Sequence, residues 1–327
     1  MTRGDLTDDE WTVFEPLLPL GERGPIPDLR RLVNGVMWRF RTGGPWRDMP
    51  ERYGPWSTVY GRFHLWAGAG VFEALMEAVV AEAAARGQVD LDLVSVDSTV
   101  ARAHHHAAGM TVDAELLEAL EKAVAKEKGS PKGQNAPIVE PDEQKAAARE
   151  ERRRLRRRRK ARLRAAELGR SRGGLTSKVH LSADRRCRPL SFVLTPGQAA
   201  DSPRFTAVLE RIRVPGPVGR PRTRPAAVAA DKAYSSRANR AYLRRRSIRA
   251  VIPEKTDQAA NRKNKGSRGG RPLAHDTELY RDRNTVERCI NKIKEWRGLA
   301  TRYDKTPVSY LAGLHLRGAV IWLRSLT

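Results

Sequence analysis

Apolar residues recur at helical spacing over the first 85 residues and at strand spacing in short runs after residue 89. Leu29, Leu32, Val33, Val36, Met37 and Phe40 fall at i, i+3, i+4, i+7, i+8 and i+11, which predicts one buried helical stripe. It stops at Thr42-Gly43-Gly44-Pro45. Ahead of it, Thr7 and Glu10 have the spacing of a capping box, followed by Trp11, Phe14 and Leu17. Behind it, Trp46-Arg47-Asp48-Met49-Pro50 reads as a turn-rich connector. Ser57 is placed to cap a short helix carrying Val59, Tyr60, Phe63 and Trp66, with Arg62 and His64 elsewhere on its surface. A last helix runs from about Val71 into Ala81–Ala85. Short helices joined by Gly/Pro turns suit an all-α, helix-turn-helix-like domain over residues 1–87; a small bundle with no DNA contact fits the same pattern.

From Val89 the period shortens to two, predicting a strand that ends at Val96-Asp97. Strands near Thr176–Ser182 and Pro189–Thr195 flank the turn Ala183-Asp184-Arg185-Arg186. Ser202-Pro203 opens a helix to about Ile212, and Ala226–Ala230 is a buried strand closed by Asp231. A helix capped by Ser235/Ser236 through Arg245, a strand at Ile248–Ile252, a basic loop from Lys255 to Arg271 and a long helix over Thr277–Arg297 follow. A helix around Leu311–Leu323 closes the chain. This order is α/β with one mixed sheet, a second domain over residues 88–327. Residues 107–168 interrupt it. Leu116, Leu117, Leu120 and Val124 lie there at helical spacing, and Glu151–Arg164 holds nine Arg and one Lys against one Glu. A solvated helical hairpin and an arm along a DNA backbone both fit such a run.

Charge narrows the partners. The chain has 62 Lys+Arg against 38 Asp+Glu, a formal +24. Nucleic acid is the usual counterpart of such a surface, since neutralised phosphates release condensed counterions. No amphipathic anchor and no apolar run near ~20 residues suggests a membrane partner. Cys187 and Cys289 form neither a disulfide framework nor a zinc spacing, and the N-terminus has no apolar leader, so a reducing cytoplasm, near the nucleoid, is expected.

Phosphodiester chemistry needs acidic side chains at a common cleft, because hard Mg²⁺ takes carboxylate oxygens and two ions about 3.5–4 Å apart serve both attacking and leaving oxygens. Asp97 and Asp231 each close a predicted strand. On the helix Thr277–Arg297, Tyr280, Arg283, Glu287 and Lys294 sit at relative positions 0, 3, 7 and 14, inside one stripe about 60° wide. Val286, Cys289, Ile290 and Ile293 make the adjacent buried face. A surface Arg283–Glu287 pair accounts for two members of the stripe and leaves Tyr280 and Lys294 unexplained.

Tyr280-x2-Arg283-x3-Glu287-x6-Lys294 resembles the tyrosine–arginine–glutamate–lysine signature of insertion-sequence transposases with an Asp-Asp-Glu triad. The wider text is similar to the IS-five superfamily. It includes Trp38 to Pro50, Gly54-Pro55-Trp56, Val96-Asp97-Ser98-Thr99, Gly169 to Leu181, Thr195-Pro196-Gly197-Gln198-Ala199 and Asp231-Lys232-Ala233-Tyr234. The resemblance implies a ribonuclease-H-like core in which Asp97, Asp231 and Glu287 are catalytic and hold two Mg²⁺ ions, with Mn²⁺ an alternative. It implies phosphate contacts by Arg283 and Lys294 and DNA-backbone packing by Tyr280. Arg62, Arg170, Arg172 and Lys232 are further candidate DNA contacts. The implied partners are double-stranded DNA, both the terminal inverted repeats and the target, and a second copy, since two element ends are processed. Such relatives reach the Gly169–Gly174 motif through a short stretch; here residues 107–168 lengthen it.

His104, His105 and His106 invite a zinc reading, but adjacent histidines on a strand point to alternate faces. His180 fits a core position or the cleft. Asp184 reads as a turn residue and Asp201 as the neighbour of a helix cap. The Gly/Arg loops Gly169–Gly174 and Gly266–Arg271 lack the Gly-Lys-Ser/Thr ending of a nucleotide loop. Two rival functions stay open: a catalytically dead DNA-binding descendant and a stand-alone metal nuclease.

Overall fold

A computed structural model describes residues 4–20, 26–126, 143–171, 173–216, 218–270, 272 and 276–327. Four helices come first: α1 (Asp8–Phe14), α2 (Leu29–Thr42), α3 (Trp56–Gly68) and α4 (Val71–Ala85). Then follow β1 (Leu93–Ala103), α5 (Ala114–Lys126), α6 (Glu143–Ala165), β2 (Gly169–Ser171), β3 (Gly174–Ala183), β4 (Pro189–Pro196) and α7 (Phe205–Glu210). The chain continues through β5 (Ala227–Ala230), α8 (Arg237–Arg245), β6 (Arg249–Val251), α9 (Thr256–Asn264) and α10 (Thr277–Arg281). It ends with α11 (Asn284–Lys294), α12 (Arg297–Ala300), β7 (Thr301–Arg302) and α13 (Pro307–Leu323).

The expected capping box is present: Glu10 N donates to Thr7 Oγ1 and Thr7 N to Glu10 Oε2. Ser57 does not cap α3. Pro55 holds the N-cap position, with no side-chain bond, so Ser57 lies inside the first turn. The Lys255–Arg271 segment is not all loop, since it forms α9 and a 3₁₀ turn at Gly266–Gly269.

The sheet runs β2-β3-β1-β5-β6, with β4 on β3 and β7 on the far end of β1. β3 is antiparallel to β1 from Ser95↔Ala183 to Arg102↔Thr176, whereas β5 and β6 are parallel to it. A long first strand with an antiparallel meander on one side and parallel strands on the other is a ribonuclease-H-like arrangement. β1 does not end at Asp97. It gains hydrogen bonds from β3 and β7 through Ala103, so Asp97 sits mid-strand. Pairing with β5, however, stops at Val96↔Ala230. The next residues on these two parallel strands are Asp97 and Asp231, which therefore leave the pairing side by side.

One hydrophobic cluster includes α1 to α4, both sides of the meander, α11 and α13. α13 is buried almost throughout and is the hub: Trp322 Nε1 donates to Pro189 O at 2.6 Å, and its ring lies 3.8 Å from the Arg188 guanidinium. Arg188 pairs with Asp184 at 2.6 Å, both fully buried, so Asp184 closes the β3–β4 turn from inside. In the intervening segment α5 packs on α6, burying Leu117, Val124 and Ala161, while arginines cover the outside.

Candidate active site

The predicted helix over Thr277–Arg297 is two helices, α10 and α11, with α12 starting at its last residue. At Asp282–Arg283 the backbone tightens to i→i+3 bonds, Arg283 N to Tyr280 O at 3.0 Å and Val286 N to Arg283 O at 3.2 Å. Long-range ion pairs meet the chain at this break. Asp282 pairs with Arg185 of the β3–β4 turn, and Arg283 turns inward onto β1.

Arg283 joins two of the expected carboxylates. Its Nη1 donates to Asp97 Oδ2 at 3.3 Å and its Nη2 pairs with Glu287 Oε1. Its guanidinium also stands 5.9 Å from the centre of the Tyr280 ring. Burial would lower the Arg283 pKa, but Glu287, Tyr280 and Asp97 outweigh it and hold the charge firmly on. α11 lies against β1, with Thr285 Oγ1 donating to Ser95 Oγ at 3.2 Å and Lys294 Nζ to Val100 O at 3.4 Å. Lys294 is pulled below the usual lysine range by burial.

Asp97 accepts from the Ser98 amide at 2.8 Å, and Asp231 from the Ala233 amide at 2.8 Å. Burial raises the Asp97 carboxyl; the Ser98 amide and Arg283 pull it down, while Asp231 and Glu287 push it up again. Asp97 thus lies within reach of the charges of both Asp231 and Glu287. Their oxygens do not close to within 4.8 Å as a set, as the imidazole nitrogens of His104, His105 and His106 do. Those histidines are not on a strand. His104 caps a 3₁₀ turn at His105–Ala108, its Nδ1 accepting from His106 N at 3.4 Å, which turns all three rings to one side.

Of the other candidates, Lys232 is exposed on the turn after Asp231, Arg170 is exposed on β2 at the sheet edge, and Arg62 is half-buried on α3. Arg172 lies outside the described residues. Sequence reasoning missed Asp201. Its Oδ1 accepts from Ser98 Oγ at 2.7 Å and lies 3.0 Å from Lys178 Nζ and 3.6 Å from His180 Nδ1. Burial would raise Asp201, but the bonds from Ser98 and Lys178 hold it low. His180 is fully buried, its Nε2 2.8 Å from Thr195 Oγ1, and burial lowers its pKa to about 4. Buried Tyr234 stands beside Asp97, Asp201 and Asp231; burial first, then those charges, push its hydroxyl up. A polar cluster from β1, β3 and two loops thus backs the Asp97 position.

Sequence models of known families match this chain in two places. One, described as the transposase DDE domain, matches residues 89–311; another, for transposases of the IS4/5 family, matches residues 6–76. The chain belongs to the DDE transposases. It is similar to a transposase for insertion sequence element IS6501 of Brucella ovis, 30% identical over 150 residues, 46% of this chain and all of that protein. It is 37% identical over 107 residues to protein y4sN of Sinorhizobium fredii, 32% of this chain and 81% of that one. A solved Mos1 pre-cleavage transpososome matches 93% of this chain and 81% of that one at 9% identity and TM-score 0.21, too slight to carry an argument. As a DDE transposase the chain binds, cleaves and joins DNA, chemistry that depends on divalent metal. Among the described residues, no single helix is long and apolar enough to cross a membrane.

Proposed function

We propose that Asp97, Asp231 and Glu287 are the catalytic carboxylates of this DDE transposase, acting on the terminal inverted repeats of its element and joining the freed 3′-OH ends to target DNA. The observation that carries the reading is that Asp97 and Asp231 leave the β1–β5 pairing side by side, with Arg283 bridging Asp97 to Glu287. The residues fit a hard divalent cation: they offer only carboxylate oxygens, with Asp97 and Asp231 adjacent where the β1–β5 pairing ends. Two Mg²⁺ ions, or Mn²⁺, would be held by these three residues and would supply oxygen activation and charge neutralisation at the phosphate.

The protein's own groups orient and screen. Arg283, charged and shared between two carboxylates, is placed to move onto an entering phosphate, with Tyr280 packed beneath it. Lys294 anchors the rim of α11, and exposed cations stand at Lys232, on the turn after β5, and at Arg170, on the edge strand β2. Residues 1–87, with Arg62 on α3, form the helical DNA-binding part, and residues 88–327 the catalytic part. Two copies would act together on the two ends, in the cytoplasm at the nucleoid.

The test is cleavage of labelled duplex carrying the element's ends, with Mg²⁺. Asp97→Asn and Glu287→Gln should each lower the rate on the order of 10³-fold or more while still binding DNA. Wild-type rates in both would remove the assignment.

A further inference from the structure

The segment after α2, the start of α3, the end of β1 and the stretch after β7 enclose a cleft of about 890 Å³. That is within the range of small-ligand sites, about 300–1,000 Å³. It is separate from the carboxylates. From Asp97 to the end of β1 at Ala103 is about 20 Å of strand, at about 3.3 Å per residue. The cleft also brings together Trp46 and Trp56, two tryptophans of the N-terminal motif for which the carboxylate site has no use.

The rings of Trp46, Trp56, Tyr60 and Tyr303 line it, with the imidazoles of His104 and His106 beside them. Trp56 and Tyr60 are 38% and 42% exposed, the two aromatic side chains among the described residues left more than about a third open to solvent. Exposed rings gathered in one concavity point to a ligand with an apolar face. The charges set its other property. Arg39, Arg47 and Lys305 line the cleft and no Asp or Glu does. Arg47 stands over Trp56 at 5.5 Å. Arg39 is 4% exposed, and its Nε and Nη1 have no hydrogen-bond partner, its nearest carboxylate being Asp304 at 3.7 Å. The Arg39 guanidinium lies 5.6, 5.5 and 5.8 Å from the Phe40, Trp46 and Tyr303 rings, and its charge adds to a positive field that favours an anionic group.

We propose that this cleft holds one unstacked nucleobase of the DNA substrate, stacked on Trp56 and Tyr60 with its phosphate on Arg47 and Lys305. The proposal rests on the DNA-processing activity but not on the carboxylate assignment. In this cleft Trp56 and Tyr60 offer π faces, which any base can use, as aromatic platforms for single strands do. Paired, stacked bases offer it nothing.

Binding of full-length protein in EDTA tests this with three probes: a paired duplex, the same duplex with one bulged nucleotide, and a single-stranded oligothymidylate. Wild type should prefer the bulged duplex over the paired one by about 5- to 150-fold, the range expected for one stacked base. Preference for the single strand as well would mean any unstacked base is accepted; preference for the bulge alone would assign an extrahelical base within a duplex. Trp56→Ala should abolish the preference and leave paired-duplex affinity unchanged, Trp56→Phe should keep most of it, and Arg47→Gln should reduce the salt slope by about 1 on the preferred probe. Equal wild-type affinity for all three probes, or an undiminished preference in a folded Trp56→Ala protein, would overturn the proposal. Binding is read in EDTA, where no cleavage occurs, so failure of the carboxylate assignment and failure of this site are read in separate assays.

Discussion

At Asp201 and His180 the surroundings of a single side chain decide its behaviour. Asp201 fixes Ser98, whose amide fixes Asp97. Asp201→Asn keeps the shape but weakens the charge-assisted bonds from Ser98 and Lys178, so cleavage should fall roughly 10-fold with DNA affinity within about twofold, as expected when orientation suffers and the chemistry does not. Single-turnover cleavage beside equilibrium binding separates the two. His180, and buried His315 under the same cause, are held near pKa 4 by burial, below the ordinary value of 6.5. A histidine lowered in the folded state costs stability when the unfolded chain protonates first. Tm should therefore hold above about pH 6.5 and fall progressively from there toward pH 4. His180→Gln should flatten part of that fall, and an unchanged acid limb would show that His180 contributes nothing to it.

Elements show what a local pattern can and cannot carry. The stripe from Leu29 to Phe40 and the Thr7/Glu10 box were readable because their determinants lie within one or two helical turns. The extension of β1 past Asp97 depends on partners about 80 and 200 residues away, β3 and β7, and the polar run Ser98–Thr99 hides it. The break at Asp282–Arg283 coincides with ion pairs to Arg185 and Asp97, neither visible to helical periodicity. Glu287 was legible because Arg283 and Tyr280 sit within two turns of it, whereas Asp201 was not, because Ser98 is 103 residues distant. α13 gives a sharper test of packing. A Cβ at Gly313 would stand 2.3 Å from Phe40 Cε1, and Phe40 is fully buried. Alanine gains about 1 kcal/mol of helix propensity, but overpacking a rigid core costs about 1–3 kcal/mol, and so close an approach places this site at the upper end. Gly313→Ala should lower Tm by a few degrees, measured calorimetrically; a rise would mean that α2 and α13 move apart freely.

The whole molecule is a strongly positive body, +24, whose densest charge lies on α6, away from the carboxylates in sequence. If α6 runs along a DNA backbone, its exposed arginines set affinity and not chemistry. Replacing Arg152, Arg156 and Arg159 together by Gln should shrink the slope of log K against log salt by up to about 0.9 for every phosphate those side chains neutralise. Cleavage inside a preformed complex should stay unchanged. An unaltered slope would leave α6 as a solvated hairpin.

Arg283 has a consequence for the idle enzyme. Its charge is spent on Asp97 and Glu287, so, on the proposed assignment, a molecule adrift from its element should capture divalent ions poorly and leave the chromosome around it intact. On the same assignment, docking on an end should draw the guanidinium away and arm the carboxylates. Arming and docking must reinforce each other equally, since linkage between two binding events is reciprocal. Mn²⁺ titrations followed by electron paramagnetic resonance should show tighter binding once uncleavable end DNA is present. Arg283→Gln should bind Mn²⁺ almost equally with and without DNA, giving a transposase that has lost its safety catch; an undiminished DNA effect in that variant would place the catch elsewhere.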